Sequence, residues 1–163
     1  MTHKTTMVGA ATGLVAGLVV ITPAAGFVEP WAALIMGLIV SPICYLAISK
    51  LKAKIGYDDA LDAFGCHCIG GITGGILTGL FCVPDLSWTD FGGLFYTGDP
   101  SLLLSQIAGI LITIVFVGVA DLILGAIIKK IAGGLRVPDE IEARGLDVTV
   151  HGETAYPAFL GLD

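Results

Sequence analysis

The sequence predicts an all-α membrane protein, a polytopic bundle of four spanning helices. Its 163 residues are 55% hydrophobic and only 13% charged, and the mean hydropathy is +0.91. A soluble domain carries about 25% charged residues, so this chain has too few to cover a surface that faces water. The apolar residues also form long runs, of the length that a hydrocarbon core of about 30 Å requires.

Four stretches contain no Lys, Arg, Asp or Glu, and each is about as long as a spanning helix. They cover residues 5–28, 30–49, 63–84 and 100–120. They predict helices at about 7–28, 30–50, 60–82 and 102–128. A membrane β-barrel would instead need short segments of alternating polarity. Residues 1–133 are therefore the predicted membrane domain, and residues 134–163 a cytoplasmic carboxyl-terminal tail.

The basic residues predict the orientation in the membrane. With four spans, all of them fall on one side: Lys4, Lys50, Lys52, Lys54, Lys129, Lys130, Arg136 and Arg144. The loop 83–101 on the other side has three Asp and no Lys or Arg. The positive-inside rule then predicts that both termini of this multi-pass chain are cytoplasmic. The net charge of −6 comes from loops and tail, and it gives no indication of nucleic-acid binding.

Small residues repeat at four-residue spacing in the first and third predicted helices. The positions are Gly9, Gly13 and Gly17 in the first, and Gly70, Gly71, Gly74, Gly75 and Gly79 in the third. Such ridges let helix backbones approach closely in a membrane. Leu at Gly13 or Gly74 should therefore disrupt assembly. Because four helices offer few partners to each other, the chain either oligomerises or forms part of a larger bundle.

The segment Cys66-His67-Cys68 is the most unusual in the third helix. On a helix the two cysteines point about 200° apart, so they cannot bind one metal ion together with His67. No metal site or cofactor is predicted, and the cysteines within the spans are interpreted as small apolar residues. His67 either hydrogen-bonds to a neighbouring helix or lines a polar path, and its cost at membrane depth favours the path. Asp121, near the inner end of the fourth span, leaves the same two alternatives open, with the structural one favoured.

Three ordered groups of motifs carry a family resemblance. Residues 62–71, DAFGCHCIGG, are similar to the D-x-F-G-x-H-x-x-G-G signature of the ammonium transporters, the Amt/Mep/Rh superfamily. Residues 17–26, GLVVITPAAG, resemble the family's A-G-L-V-x-I-T-P-A-A-G segment. The tail segments 134–137, 145–147 and 151–156 resemble the family's regulatory tail. Cys66 and Cys68 depart from the usual small or aliphatic neighbours of the histidine.

The resemblance implies a transport protein, not an enzyme. Family members have eleven spanning helices and form homotrimers with one narrow pore per subunit, and this chain resembles the last four helices and the tail. It is thus expected to be a partial transporter, whose substrate is ammonium or ammonia and whose surroundings are membrane lipid. The resemblance makes His67 the second of two pore histidines and places Ala63 one turn away on the same face. The charge of Asp62 is expected to stabilise the amino-terminal end of that helix, and both Asp62 and Thr22 are expected near the pore.

A second function implied by the resemblance lies in the tail. In bacterial and archaeal relatives, a trimeric PII-type signalling protein blocks the cytoplasmic mouth of the pore. The contacting or coupling residues would then be Arg136, Asp147, His151, Glu153 and Tyr156. The alternatives are an ammonium sensor or regulatory module that does not transport by itself, and a tail that is only a solvated terminus.

Overall fold

The computed structural model describes residues 6–153 and divides the chain into two compact units, Met1–Ile114 and Val115–Asp163. Within residues 6–153 the regular elements are helical. They are α1 (Met7–Ala24), α2 (Pro30–Ile55), α3 (Phe64–Phe81), α4 (Leu94–Thr97), α5 (Ser101–Ala132) and α6 (Asp139–Arg144). Of these, α1, α2, α3 and α5 are long and apolar enough to cross a membrane. The predicted helical membrane bundle with four spans is confirmed.

The helix ends differ from the predicted ones for local reasons. Helix α1 closes at Ala24, where the last residues tighten into a 3₁₀ turn over Thr22–Ala24 that contains Pro23. Helix α2 continues past Ser49 to Ile55, because lysine side chains near a helix end reach the interface along their apolar stems. It stops where Gly56 takes a left-handed conformation with φ 74°.

Both α2 and α3 contain a wider, π-helical turn. In α2 it covers Ala47–Leu51, and the Lys52 N–H donates to the Ala47 carbonyl. In α3 it covers Phe64–Cys68, and the Ile69 N–H reaches the Phe64 carbonyl. Such turns are rare and often lie at functional sites. The two turns meet where Gly65 approaches Ile48, since a Cβ on Gly65 would lie 2.5 Å from the Ile48 Cγ1.

The core of the first unit lies between α1, α2 and α3. Its buried side chains recur every fourth residue along the first two helices and are completed by two from α3: Ala16, Val20, Ala24, Ala32, Met36, Val40, Cys44, Leu77 and Phe81. Positions four apart share one helix face, so each helix turns a single stripe inward. In the glycine ridge of α3, Gly74 packs on α1 and Gly79 packs on Leu103 of α5, whereas Gly13 and Gly17 in the ridge of α1 have open space beside them.

The connection between α3 and α5 folds back onto the helix ends. The Val83 N–H donates to the Phe27 carbonyl at 2.8 Å, and the Gly93 N–H donates to the Cys82 carbonyl at 2.7 Å. Glu29 accepts hydrogen bonds from the Tyr96 hydroxyl at 2.9 Å and the indole N–H of Trp31 at 2.5 Å. Burial, together with the bond to Glu29, raises the pKa of Tyr96. The loop 83–101, called the aromatic loop below, is therefore attached to the bundle by backbone and side-chain hydrogen bonds.

The second unit contains the carboxyl-terminal part of α5 and the described part of the tail. Arg136 donates two hydrogen bonds to the Glu142 carboxylate, at 2.6 and 2.9 Å. Pro138 precedes the first residue of helix α6. Asp147–His151 forms a helical turn, which is closed by a bond from the Glu153 N–H to the Asp147 carbonyl at 2.9 Å.

Candidate functional site

His67 lies on the π-helical turn that begins α3. The side chains of this turn differ in exposure: His67 is exposed, whereas its neighbours Cys66 and Cys68 are buried and half-buried. All four cysteines of the chain are free thiols. Across residues 6–153, His, Cys, Asp and Glu form no group of three that could hold a metal ion.

His67 lines an open groove between α3 and α1. The groove has a volume of about 510 Å³, and its walls are formed by Val15, Leu18, Val19, Thr22, Pro23, His67 and Gly71. Apart from the imidazole and the Thr22 hydroxyl, these side chains are apolar. The Thr22 hydroxyl donates its proton to the Leu18 carbonyl at 2.7 Å, so its oxygen is left to act as an acceptor. The structure thus brings His67 and Thr22 to one apolar groove.

A second group of residues holds the beginning of α3. The Asp59 carboxylate accepts the N–H groups of Ala63 at 2.9 Å and Phe64 at 2.8 Å. Asp62 was expected to stabilise this helix end through its charge, but the N–H groups are bound by Asp59. Asp62 forms an ion pair with Lys52 of α2, with Nζ and Oδ1 2.7 Å apart.

Sequence reasoning missed Asp59 and Lys52. Asp59 could have been found, because a carboxylate shortly before an apolar run is a typical helix N-cap signal. Lys52 had no local signal, since it lies ten residues from Asp62 and on another helix. Tyr57, also missed, packs its ring on Phe64 with centroids 5.2 Å apart. Burial raises the pKa of Tyr57, and the charge of Asp59 acts in the same direction.

The predicted tail residues lie in the second unit. Arg136 pairs with Glu142, Asp147 begins the last helical turn, and His151 ends it. Glu153 closes that turn through its backbone N–H, and Tyr156 lies outside the described residues. Asp121 is exposed on α5, and among residues 6–153 it forms no ion pair.

Ionisable side chains are costly in membrane-spanning helices and are found there mainly along substrate or ion paths, so an imidazole in an apolar groove between two such helices favours a membrane transport protein. Comparison with known sequences identifies the family. The model of the Ammonium Transporter Family matches residues 1–156. The chain belongs to this family, as its motifs predicted.

Individual relatives agree with this assignment. The chain is 50% identical to an ammonium transporter of Bacillus subtilis over 153 residues, which is 94% of this chain and 37% of the relative. It is 44% identical to one from Aquifex aeolicus, with 94% and 35% covered. The crystal structure of Candida albicans Mep2 matches with a TM-score of 0.72 and 32% identity, over 84% of this chain and 31% of that one. The chain spans little more than a third of the length of these curated relatives.

Proposed function

We propose that the protein carrying this chain moves ammonium or ammonia across a membrane, and that His67 is the residue of this chain that handles the proton. The observation that supports it is the groove between α1 and α3, in which an imidazole stands among apolar side chains. The names of the relatives, which are ammonium transporters, support the choice of substrate.

The chemistry of the substrate fits such a groove. Apolar walls cannot replace the hydration shell of ammonium, so the ion is expensive to transfer as a charge. Ammonium can pass its proton to a neutral imidazole nitrogen and cross as ammonia, and the imidazolium then gives the proton back to ammonia or to water at the end of the path. Potassium has no proton to lose, so the same walls reject it without a size filter.

The groove is open on one side, and this chain supplies only part of a pore wall. His67 is exposed in the first unit, and the relatives are nearly three times as long as the aligned segment. The remaining wall, including a partner for His67, would come from protein outside this chain. Thr22 would face the same path. Ala63, which is exposed at the start of α3, would lie nearer the lysine-bearing side. We assign that side to the cytoplasm, and the assembled protein to a homotrimer in the plasma membrane.

The test is His67→Ala in the complete gene product, assayed by uptake of labelled methylammonium in cells without other ammonium transporters. We expect uptake to fall by about a hundredfold, the lower end of what a positioned proton-transfer group contributes. Cys68→Ala is the matched control, because its side chain lies on the same turn but outside the groove. Uptake that is unchanged in His67→Ala, at equal protein level, would overturn the proposal.

The tail suggests a second function, docking of a PII-type signalling protein. Its support is that the described tail is exposed yet ordered by the Arg136–Glu142 pair and the turn Asp147–His151. Deletion of residues 137–163 from the complete gene product should leave uptake within about twofold and abolish binding of the regulator, since surface segments outside the core contribute little to the fold. The measurement is binding of the purified regulator to the immobilised protein. Binding that survives the deletion would contradict this role.

A further inference from the structure

We propose that the Lys52–Asp62 ion pair positions His67, so that Lys52 and Asp62 are positioning residues for transport. The inference rests on the proposed function of His67 and adds a device that sets the orientation of its turn. For brevity, the contacts of Lys52, Asp59 and Asp62 that join the end of α2 to the beginning of α3 are called the α2–α3 clamp.

The clamp connects two helices directly at their ends. The Lys52 ammonium donates to the Asp62 carboxylate at 2.7 Å and to the Asp59 carbonyl at 2.5 Å. Lys52 follows the π-helical turn of α2, and Asp62 precedes that of α3. One ammonium group therefore fixes both the connecting loop and the residue from which the His67 turn starts.

The backbone conformation of Asp62 links its side-chain contacts to the turn that carries His67. Its φ is 56°, and it is the one residue other than glycine with positive φ between residues 6 and 153. Asp tolerates this left-handed conformation better than most residues, but surrounding contacts have to hold it. The Asp62 carbonyl accepts the N–H of Cys66 at 3.0 Å. A change at Asp62 therefore reaches the turn that carries His67 through a direct hydrogen bond.

Other contacts leave this turn few ways to adjust. Asp59 binds two of its N–H groups, and Gly65 is pressed against Ile48 of α2. The ion pair itself is about one-third exposed, at 30% and 29% for the two side chains. Because partly exposed pairs contribute little to overall stability, loss of this pair should disturb the turn and leave the bundle folded. This separates a positioning role from a general structural one.

The experiment uses Lys52→Met in the complete gene product, with Lys52→Arg as the conservative control. Methionine keeps the apolar stem and removes the charge, whereas arginine keeps the charge and its donors. In Lys52→Met we expect amide exchange in residues 62–69 to accelerate about tenfold, because the equilibrium constant for local opening of this turn should rise about tenfold. The maximal methylammonium uptake rate should fall about tenfold with KM within about twofold, the pattern of an interaction that acts on passage rather than on binding. In Lys52→Arg, both the exchange rate and the uptake rate should stay close to those of the parent.

A double variant shows whether Lys52 acts through His67. If it does, Lys52→Met should cause no further loss of uptake in a His67→Ala background, because effects of coupled residues do not add. Unchanged exchange in residues 62–69 of Lys52→Met would overturn the clamp. Faster exchange with normal uptake, or additive losses in the double variant, would overturn its link to His67. Failure of the proposed function is distinct, because His67→Ala with an intact clamp would then transport normally.

Discussion

Replacement of Gly74 by leucine will prevent α3 from packing against α1. A Cβ at this position would lie 2.9 Å from the Pro23 Cγ and still closer to the Val20 carbonyl oxygen. Backbone atoms cannot rotate away as a side chain can, so the helices would have to separate. Overpacking of this kind against backbone belongs to the destabilisations above about 4 kcal/mol. We expect the yield of monodisperse protein in mild detergent, measured by size-exclusion chromatography, to fall below about one-tenth of the parent.

Gly13→Leu is the matched control for this substitution. Both glycines lie on four-residue ridges, and the spacing alone predicts the same outcome for both. In the first unit, however, nothing lies within 4 Å of a Cβ on Gly13. Its leucine variant should keep the thermal stability of the parent. A smaller assembly on elution would show that the α1 ridge meets another chain or segment. A Gly74→Leu protein that elutes like the parent would contradict the packing of α1 against α3.

The number and type of helices were predictable because one property decides them. A run of about 20 uncharged residues spans a membrane as a helix, and each of the four runs does form one. The ends were less predictable. Lys50, Lys52 and Lys54 end the apolar run of α2 but not the helix, which continues to a left-handed glycine at Gly56.

Of the residues that line the groove, only His67 and Thr22 were singled out from the sequence. His67 was found from its motif and from the cost of an imidazole at membrane depth, and Thr22 from the resemblance of its segment. The face on which each lies became clear only in the fold, where α1 and α3 bring both to one groove. The Lys52–Asp62 pair depends on how the ends of α2 and α3 meet, which no spacing encodes. The positive φ of Asp62 likewise has no sequence signal, since glycine is the residue usually expected there.

Phe81→Ala is the second substitution for which we expect a large loss of stability, and it lies at the end of α3 away from the α2–α3 clamp. Phe81 is 7% exposed and makes edge-to-face contacts with Trp31 at 5.8 Å and Phe95 at 5.0 Å between ring centroids. It thereby joins the beginning of α2, the end of α3 and the short helix α4. Truncation of a buried Phe to Ala costs about 3–5 kcal/mol. Because lipid is itself apolar, lost packing and not transfer from water supplies this cost here, and we expect about 3 kcal/mol.

Thermal unfolding in detergent, followed by tryptophan fluorescence, measures this effect, and Trp31 reports on the cluster directly. Phe91→Ala is the control, because Phe91 lies in the loop that follows α3 and has 52% of its surface exposed, and surface substitutions change stability by less than about 0.5 kcal/mol. Phe81→Leu should fall between the two, since it fills most of the volume without the ring contacts. Equal melting temperatures for Phe81→Ala and Phe91→Ala would show that the aromatic cluster does not hold the loop. A lower melting temperature in Phe81→Ala alone would show that packing of the aromatic loop against the ends of α2 and α3 contributes to the cooperative fold, beside the hydrogen bonds that Val83, Gly93 and Tyr96 make.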